Sequence, residues 1–156
     1  MSSDFDQVAD QLEAAIMDEM RRDYSEKVIE LFLNPRNLRK MGCADGHGKV
    51  KGICGDTMEI FLKIKDDKIV DAKFITDGCG PSIVCGGTVT ELIKGRYIRD
   101  AFKINAEKIL DELGGLPEAD QHCAKLAADS LHDAILCYLK MKGEQCNYAN
   151  LRIQMY

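Results

Sequence analysis

Three of the chain's seven cysteines stand in separate local settings, and only a fold that gathers them lets them act together. They read Gly52-Ile53-Cys54-Gly55-Asp56, Asp77-Gly78-Cys79-Gly80-Pro81 and Gln121-His122-Cys123-Ala124. Each thiol has a glycine, a carboxylate or an imidazole close by, and none of the three forms a CxxC pair. Glycine beside a thiol leaves the backbone bare and mobile, which suits a ligand that must bind and release. The pattern is that of an open metal or cluster site.

Composition bounds the alternatives. At 156 residues the chain suits one domain and is long enough to bury a core without staples. The net charge of −5 argues against broad contact with nucleic acid, because phosphate neutralisation needs clustered Lys and Arg. The first twenty residues carry Asp4, Asp6, Asp10, Glu13, Asp18 and Glu19, so no basic leader is expected there. No apolar run approaches the roughly 20 residues of a membrane helix, and the expected compartment is the cytoplasm. In a reducing cytosol, cysteines are metal-binding or catalytic more often than bridged.

The periodicity predicts an α+β fold. Val8, Leu12, Ala15, Ile16 and Met20 form one apolar stripe on a helix that starts near residue 4. Asp23 or Ser25 breaks it, and Asn34-Pro35 ends the second stretch. A loop over residues 35–49 follows. Strands are expected at Lys49–Ile53, around Met58, Ile60, Leu62 and Ile64, and over Ile69–Thr76, with Lys65-Asp66-Asp67-Lys68 as a turn. Further helices are expected over Ile83–Lys94, over Ala106–Leu113 capped by Asn105, and over about Cys123–Lys142; Ile98–Ile104 reads as short or irregular. The sheet-then-helices order gives three antiparallel strands with helices packed on one face, plus an N-terminal helix. The expected divisions are an extension at 1–23, a domain at 24–143 and a loose tail at 144–156.

This order puts Cys54 at the first strand turn, Cys79 just before a helix and Cys123 at the start of the last helix. A helix N-terminus favours a thiolate, so Cys79 and Cys123 are expected to ionise easily. Asp56 is close enough to Cys54 to share an ion, and His122 offers an imidazole. Three thiolates with one oxygen or nitrogen donor suit Zn²⁺ or an iron–sulfur cluster. Mixed ligation is weaker and more exchangeable than four thiolates, which points to transfer of a cluster.

Several motifs carry a family resemblance: Tyr24-Ser25-Glu26-Lys27-Val28-Ile29, Asn34-Pro35-Arg36-Asn37, Cys54-Gly55-Asp56, Gly78-Cys79-Gly80, Glu91-Leu92-Ile93-Lys94-Gly95 and His122-Cys123. In order and spacing, over about residues 24–142, they resemble the IscU/NifU family of iron–sulfur cluster assembly scaffolds. The resemblance implies a non-enzymatic scaffold that assembles a labile [2Fe–2S] cluster from Fe²⁺ and desulfurase-derived sulfur, then transfers it to apo-proteins. It implies Cys54, Cys79 and Cys123 as cluster ligands, Asp56 as the residue that keeps the cluster labile, and His122 as an auxiliary ligand. It also implies Cys123 as the main persulfide acceptor and Zn²⁺ in the cluster-free form. The implied partners are a cysteine desulfurase, an electron donor and recipient apo-proteins. Leu116-Pro117-Glu118-Ala119-Asp120 departs from the Leu-Pro-Pro-Val-Lys read by a dedicated chaperone, so that contact is not expected. The acidic segment before Tyr24 is expected to serve a homodimer or another partner.

Two other functions compete. One is a zinc-bound sulfur acceptor that activates a desulfurase; the other is a thiol redox enzyme using Cys79–Cys85 or Cys123, which the lack of CxxC disfavours. Cys85 reads as core, with a fourth thiol near the site as the alternative. Cys43 lies in a Gly-rich loop with an approach to the site open to it. Cys137 reads as core, Cys146 as exposed, and His47 and His132 as surface or supporting residues. Tyr24 either touches a partner or packs the first helix.

Overall fold

The computed structural model describes residues 3–143; the expected tail at 144–156, with Cys146, lies outside the described residues. The elements run α1 (Asp4–Asp23), α2 (Glu26–Leu33), β1 (Gly46–Lys51), β2 (Thr57–Lys65), β3 (Lys68–Thr76), α3 (Gly80–Ile93), α4 (Ile98–Ala101), α5 (Ala106–Leu113), a 3-10 turn (Glu118–Asp120) and α6 (Gln121–Met141). The strands form an antiparallel meander in the order β1-β2-β3, with Gly48 opposite Ile60 and Ile60 opposite Phe74. The sheet and helices match the expected α+β fold. β1 differs in starting at Gly46 rather than Lys49. Its glycines hid the strand, because they supply no apolar alternation.

Those glycines set the architecture. α6 lies directly on β1, and a Cβ at Gly48 would run into Ser130 O and Ala134 N. A Cβ at Gly46 would stand 2.6 Å from Ala134 O. Asp133 fastens the contact by accepting a hydrogen bond from Lys49 N at 2.9 Å. Beside α6, α3 covers β3, and the space above Gly86 is filled by the ring of Phe74. Between sheet and helices lie Met58, Ile60, Leu62, Phe74, Ile93, Leu131 and Ile135, all fully buried. Each such side chain contributes roughly 1.5–3 kcal/mol on leaving water.

The β2–β3 turn uses Asp66 and Asp67, both at positive φ (53° and 60°), the conformation of a two-residue hairpin loop. Asp tolerates this region better than most residues. Ser25 caps α2 by accepting from Val28 N at 3.2 Å, so the break after Asp23 falls where expected. α1 begins in a capping box built from Ser3 and Asp6. No residue of α1 is buried: its stripe is open to solvent at Val8, Leu12 and Ile16 (62%, 61% and 49% exposed) and half-buried at Met20.

Two side chains differ from expectation. His132 is in the core, where its Nε2–H donates to Ile104 O at 2.9 Å and its ring leans on Phe102 at 4.8 Å. Burial holds its pKa below the usual imidazole value. Cys137 is only half-buried, with its sulfur 4.0 Å from Met141 Sδ. Its place on α6 turns it towards the rim of the helix layer.

The Gly48→Ala substitution is expected to destabilise the chain by about 1–3 kcal/mol, because strand and helix backbones must separate. Thermal unfolding would show this as a lowered Tm, and an unchanged Tm would mean that α6 does not rest on Gly48. His132 gives a pH signature. Its folded pKa is depressed, so its contribution is present above the unfolded value of about 6.5 and is lost as pH falls below it. Urea unfolding of the wild type is therefore expected to weaken more between pH 7 and pH 5 than that of His132→Gln.

Candidate metal centre

Cys54 and Asp56 share one tight turn between β1 and β2. Gly52 N donates to Asp56 O at 2.7 Å, and Gly55 N donates to Gly52 O at 3.1 Å. The turn needs Gly55 at φ +88°, in open space. Cys54 is exposed, and its thiol donates to Asp56 Oδ2 at 3.3 Å.

Cys79 is the exposed N-cap residue of α3, reached directly from β3. Its neighbours are held from two sides. The Phe32 ring occupies the space that a side chain at Gly80 would take, and Asp77 Oδ1 accepts from Thr57 N at 2.6 Å. Gly78 joins the two turns: a Cβ there would lie 2.6 Å from Ser82 Oγ and 3.0 Å from Asp56 Oδ2. The bare glycine thus lets the Asp56 carboxylate and the Ser82 hydroxyl approach the same spot.

Cys123 is the third residue of α6 and is fully buried. Ser82 Oγ donates to its sulfur at 3.4 Å, and His122 Nε2 stands 3.6 Å from it. Burial pushes the Cys123 thiol up to about 11; the Ser82 hydrogen bond pulls the other way, and the Cys79 thiol adds to the rise. This overturns the expectation of an easily ionised Cys123. The helix dipole favours a thiolate here, but loss of water from the whole side chain outweighs it.

Just before α6, Asp120 accepts a 2.8 Å hydrogen bond from the Tyr24 hydroxyl, which raises the Tyr24 pKa to about 12. The Tyr24 ring meets Phe32 edge-on at 5.4 Å. Tyr24 therefore ties the start of α2 to the turn that leads into α6 and Cys123.

Cys85 is buried one turn beyond Ser82, and burial raises its pKa strongly. It is a core thiol facing the site from beneath. Cys43 stands before β1, at the opposite end of that six-residue strand from Cys54, so it does not approach the site. A six-residue strand separates its ends by roughly 20 Å. His47 is exposed, stacks on Phe61 and reaches Glu59 at 2.8 Å, which lowers the Glu59 pKa.

Among the described residues no three His, Cys, Asp or Glu side chains stand close enough together to hold one ion. The donors form an open ring: Cys54 and Asp56 on one turn, Cys79 at the strand exit, Cys123 and His122 on α6. Their chemistry, soft thiols with one carboxylate and one imidazole, fits iron–sulfur or zinc cargo. Ser82 and the space left by Gly78 escaped the sequence reading. A serine in a first helical turn carries no signal beyond capping.

The fold and donor set define a class: an α+β domain presenting thiols from a turn, a strand exit and a helix start at one end of its sheet. Residues 23–145 match the model described as "NifU-like N terminal domain", and the chain belongs to that family. Its relatives include "Iron-sulfur cluster assembly scaffold protein IscU 1" of Archaeoglobus fulgidus, 45% identical over 122 residues covering 78% of this chain and 80% of that one. The protein called "Iron-sulfur cluster assembly scaffold protein IscU" in Aquifex aeolicus is 40% identical over 127 residues, covering 80% and 81%. Among solved structures, the N-terminal part of a NifU-like protein from Brucella abortus shares the fold, with a TM-score of 0.58 over 74% of this chain and 94% of that one at 18% identity.

Exposure orders the thiols by reactivity. Iodoacetamide is expected to modify Cys54 and Cys79 of the metal-free chain quickly at pH 7.5 and Cys123 slowly. The Cys123 rate should climb as pH approaches 11, because only the thiolate reacts. Peptide mass spectrometry would read each site. Equal rates at all three would contradict the buried, protonated state of Cys123.

Proposed function

We propose that the chain is a scaffold on which a labile [2Fe–2S] cluster is assembled from Fe²⁺ and the sulfur of a cysteine desulfurase, then passed to apo-proteins. The carrying observation is the placement of the Asp56 carboxylate, hydrogen-bonded to Cys54 on one side and facing Gly78, beside Cys79, on the other. An oxygen donor between thiols makes a site that holds iron and lets it go. Identity of 40–45% to proteins named as scaffolds supports the reading. It is a carrier's chemistry, with no substrate turned over.

In this reading Cys54, Cys79 and Cys123 ligate iron, with Asp56 as the exchangeable donor and His122 beside Cys123. Cys123 accepts sulfur. Its thiol gives its proton to the His122 imidazole, and the thiolate attacks the outer sulfur of the donor's persulfide. A new S–S bond forms at Cys123, the donor's S–S bond breaks, and the donor leaves as a thiolate. Two electrons from an external reductant then cleave the Cys123 persulfide to thiolate and sulfide. Exposed Cys54 and Cys79 meet iron first, and the buried thiol joins as the ring closes. In the absence of cluster, the same donors suit Zn²⁺.

Replacement of Asp56 by Ala is expected to prolong cluster lifetime several-fold, because the donor through which exchange begins is gone. Anaerobic reconstitution with desulfurase, cysteine and Fe²⁺, followed by the decay of visible absorption in the presence of a chelator, measures it. Loss of cluster formation in Asp56→Ala would make Asp56 an obligatory ligand and end the exchange role.

A further inference from the structure

Ser82 is fully buried in the first turn of α3, and among the described residues its hydroxyl donates one side-chain hydrogen bond, to Cys123 Sγ. A buried hydroxyl ordinarily takes a backbone carbonyl one turn back, as Thr88 does with Val84 O and Ser130 with Leu126 O. Ser82 instead points across to the other helix, to the Cys123 sulfur. The space above it is kept clear by Gly78, where a Cβ would fall 2.6 Å from Ser82 Oγ.

The Cys123 sulfur thus has three polar neighbours, Ser82, His122 and the Cys79 thiol. Ser82 offers it a proton at 3.4 Å, and His122 Nε2 stands at 3.6 Å. A thiol has one hydrogen and two lone pairs. With one lone pair held by the Ser82 O–H, the thiol hydrogen is free to turn to the imidazole, and the second lone pair is left for an incoming atom. Without Ser82 the thiol rotates about its Cα–Cβ and Cβ–Sγ bonds among several staggered positions. The other neighbour of the Cys123 thiol, the Cys79 sulfur, is a weaker acceptor than an imidazole nitrogen.

We propose that Ser82 is a positioning residue that fixes the Cys123 sulfur so that its S–H faces the His122 imidazole during sulfur acceptance. The inference rests on the reading of Cys123 as the sulfur acceptor. Ser82 forms no bond to sulfur or iron, and its part in the step is to lower the number of thiol orientations that fail. Proton and electron movements are those already given: the proton passes to His122, and the thiolate attacks the outer persulfide sulfur.

The test is a double-mutant cycle on Ser82 and His122, with Ser82→Thr as the conservative variant. Two rates are read on the metal-free full-length chain: persulfide formation at Cys123 from a persulfide-loaded cysteine desulfurase, and carbamidomethylation of Cys123 by iodoacetamide. Both are followed by mass spectrometry of the Cys123 peptide. Ser82→Ala is expected to slow persulfide formation roughly tenfold or more, the order expected for a lost hydrogen bond to a group that becomes charged. Ser82→Thr, which keeps the hydroxyl, should restore the rate. In a His122→Ala background Ser82→Ala should cost much less, since there is no base left to face. Alkylation of Cys54 and Cys79 and the Tm should stay as in the wild type. A Ser82→Ala rate equal to wild type, or losses that multiply independently with His122→Ala, would overturn the proposal. If the wild-type Cys123 takes no sulfur, the acceptor reading itself fails. The alkylation cycle then decides Ser82 alone: coupling keeps its positioning role and additivity removes it.

Discussion

The close contact between α6 and β1 supports everything else in the molecule. Gly46 and Gly48 let the helix backbone settle onto the strand backbone, at positions where any side chain would collide with Ser130 or Ala134. That contact fixes the start of α6, and with it Cys123, relative to the turn that follows β1 and carries Cys54 and Asp56. The third thiol is placed by the same logic. The Phe74 ring fills the space above Gly86 and Phe32 the space above Gly80, so α3 is docked at its start and its middle and Cys79 stands at its tip. Three cysteines distant in the chain are carried to one end of the sheet because glycines let backbones approach.

The thiols are then differentiated by solvent. Cys54 and Cys79 are open to water, while Cys123 is covered and protonated, with Ser82 and His122 arranged around its sulfur. A carrier gains from such inequality. In the proposed role, accessible donors would capture and release the metal, and a covered thiol would shield a reactive sulfur from water and stray oxidants.

Much of this was legible before the structure. Alternation at Met58, Ile60, Leu62 and Ile64 showed β2, Ser25 and Asn105 marked helix starts, and the contexts of Cys54, Cys79 and Cys123 carried the family resemblance. What stayed hidden has a common physical cause. β1 was misjudged because Gly46 and Gly48 serve packing by lacking a side chain, and a missing group leaves no hydrophobic pattern. The apolar stripe on α1 is present as expected, yet the described residues leave most of it in solvent. His132 looked like a surface residue because its partner, Ile104 O, is a backbone atom far off in sequence. The Cys123 thiol was expected to ionise readily, since helix position is visible in a sequence and depth of burial is not.

The central claim is that three thiols from three elements act as one exchangeable iron–sulfur site, and metal and sulfide stoichiometry tests it most directly. After anaerobic reconstitution, iron, zinc and acid-labile sulfide would be measured for the wild type and for Cys54→Ser, Cys79→Ser and Cys123→Ser separately. The account predicts about two irons and about two sulfides per cluster in the wild type, with each single substitution alone reducing the yield sharply. One tightly held Zn²⁺ with no iron uptake, or a full cluster in any of the three variants, would contradict it.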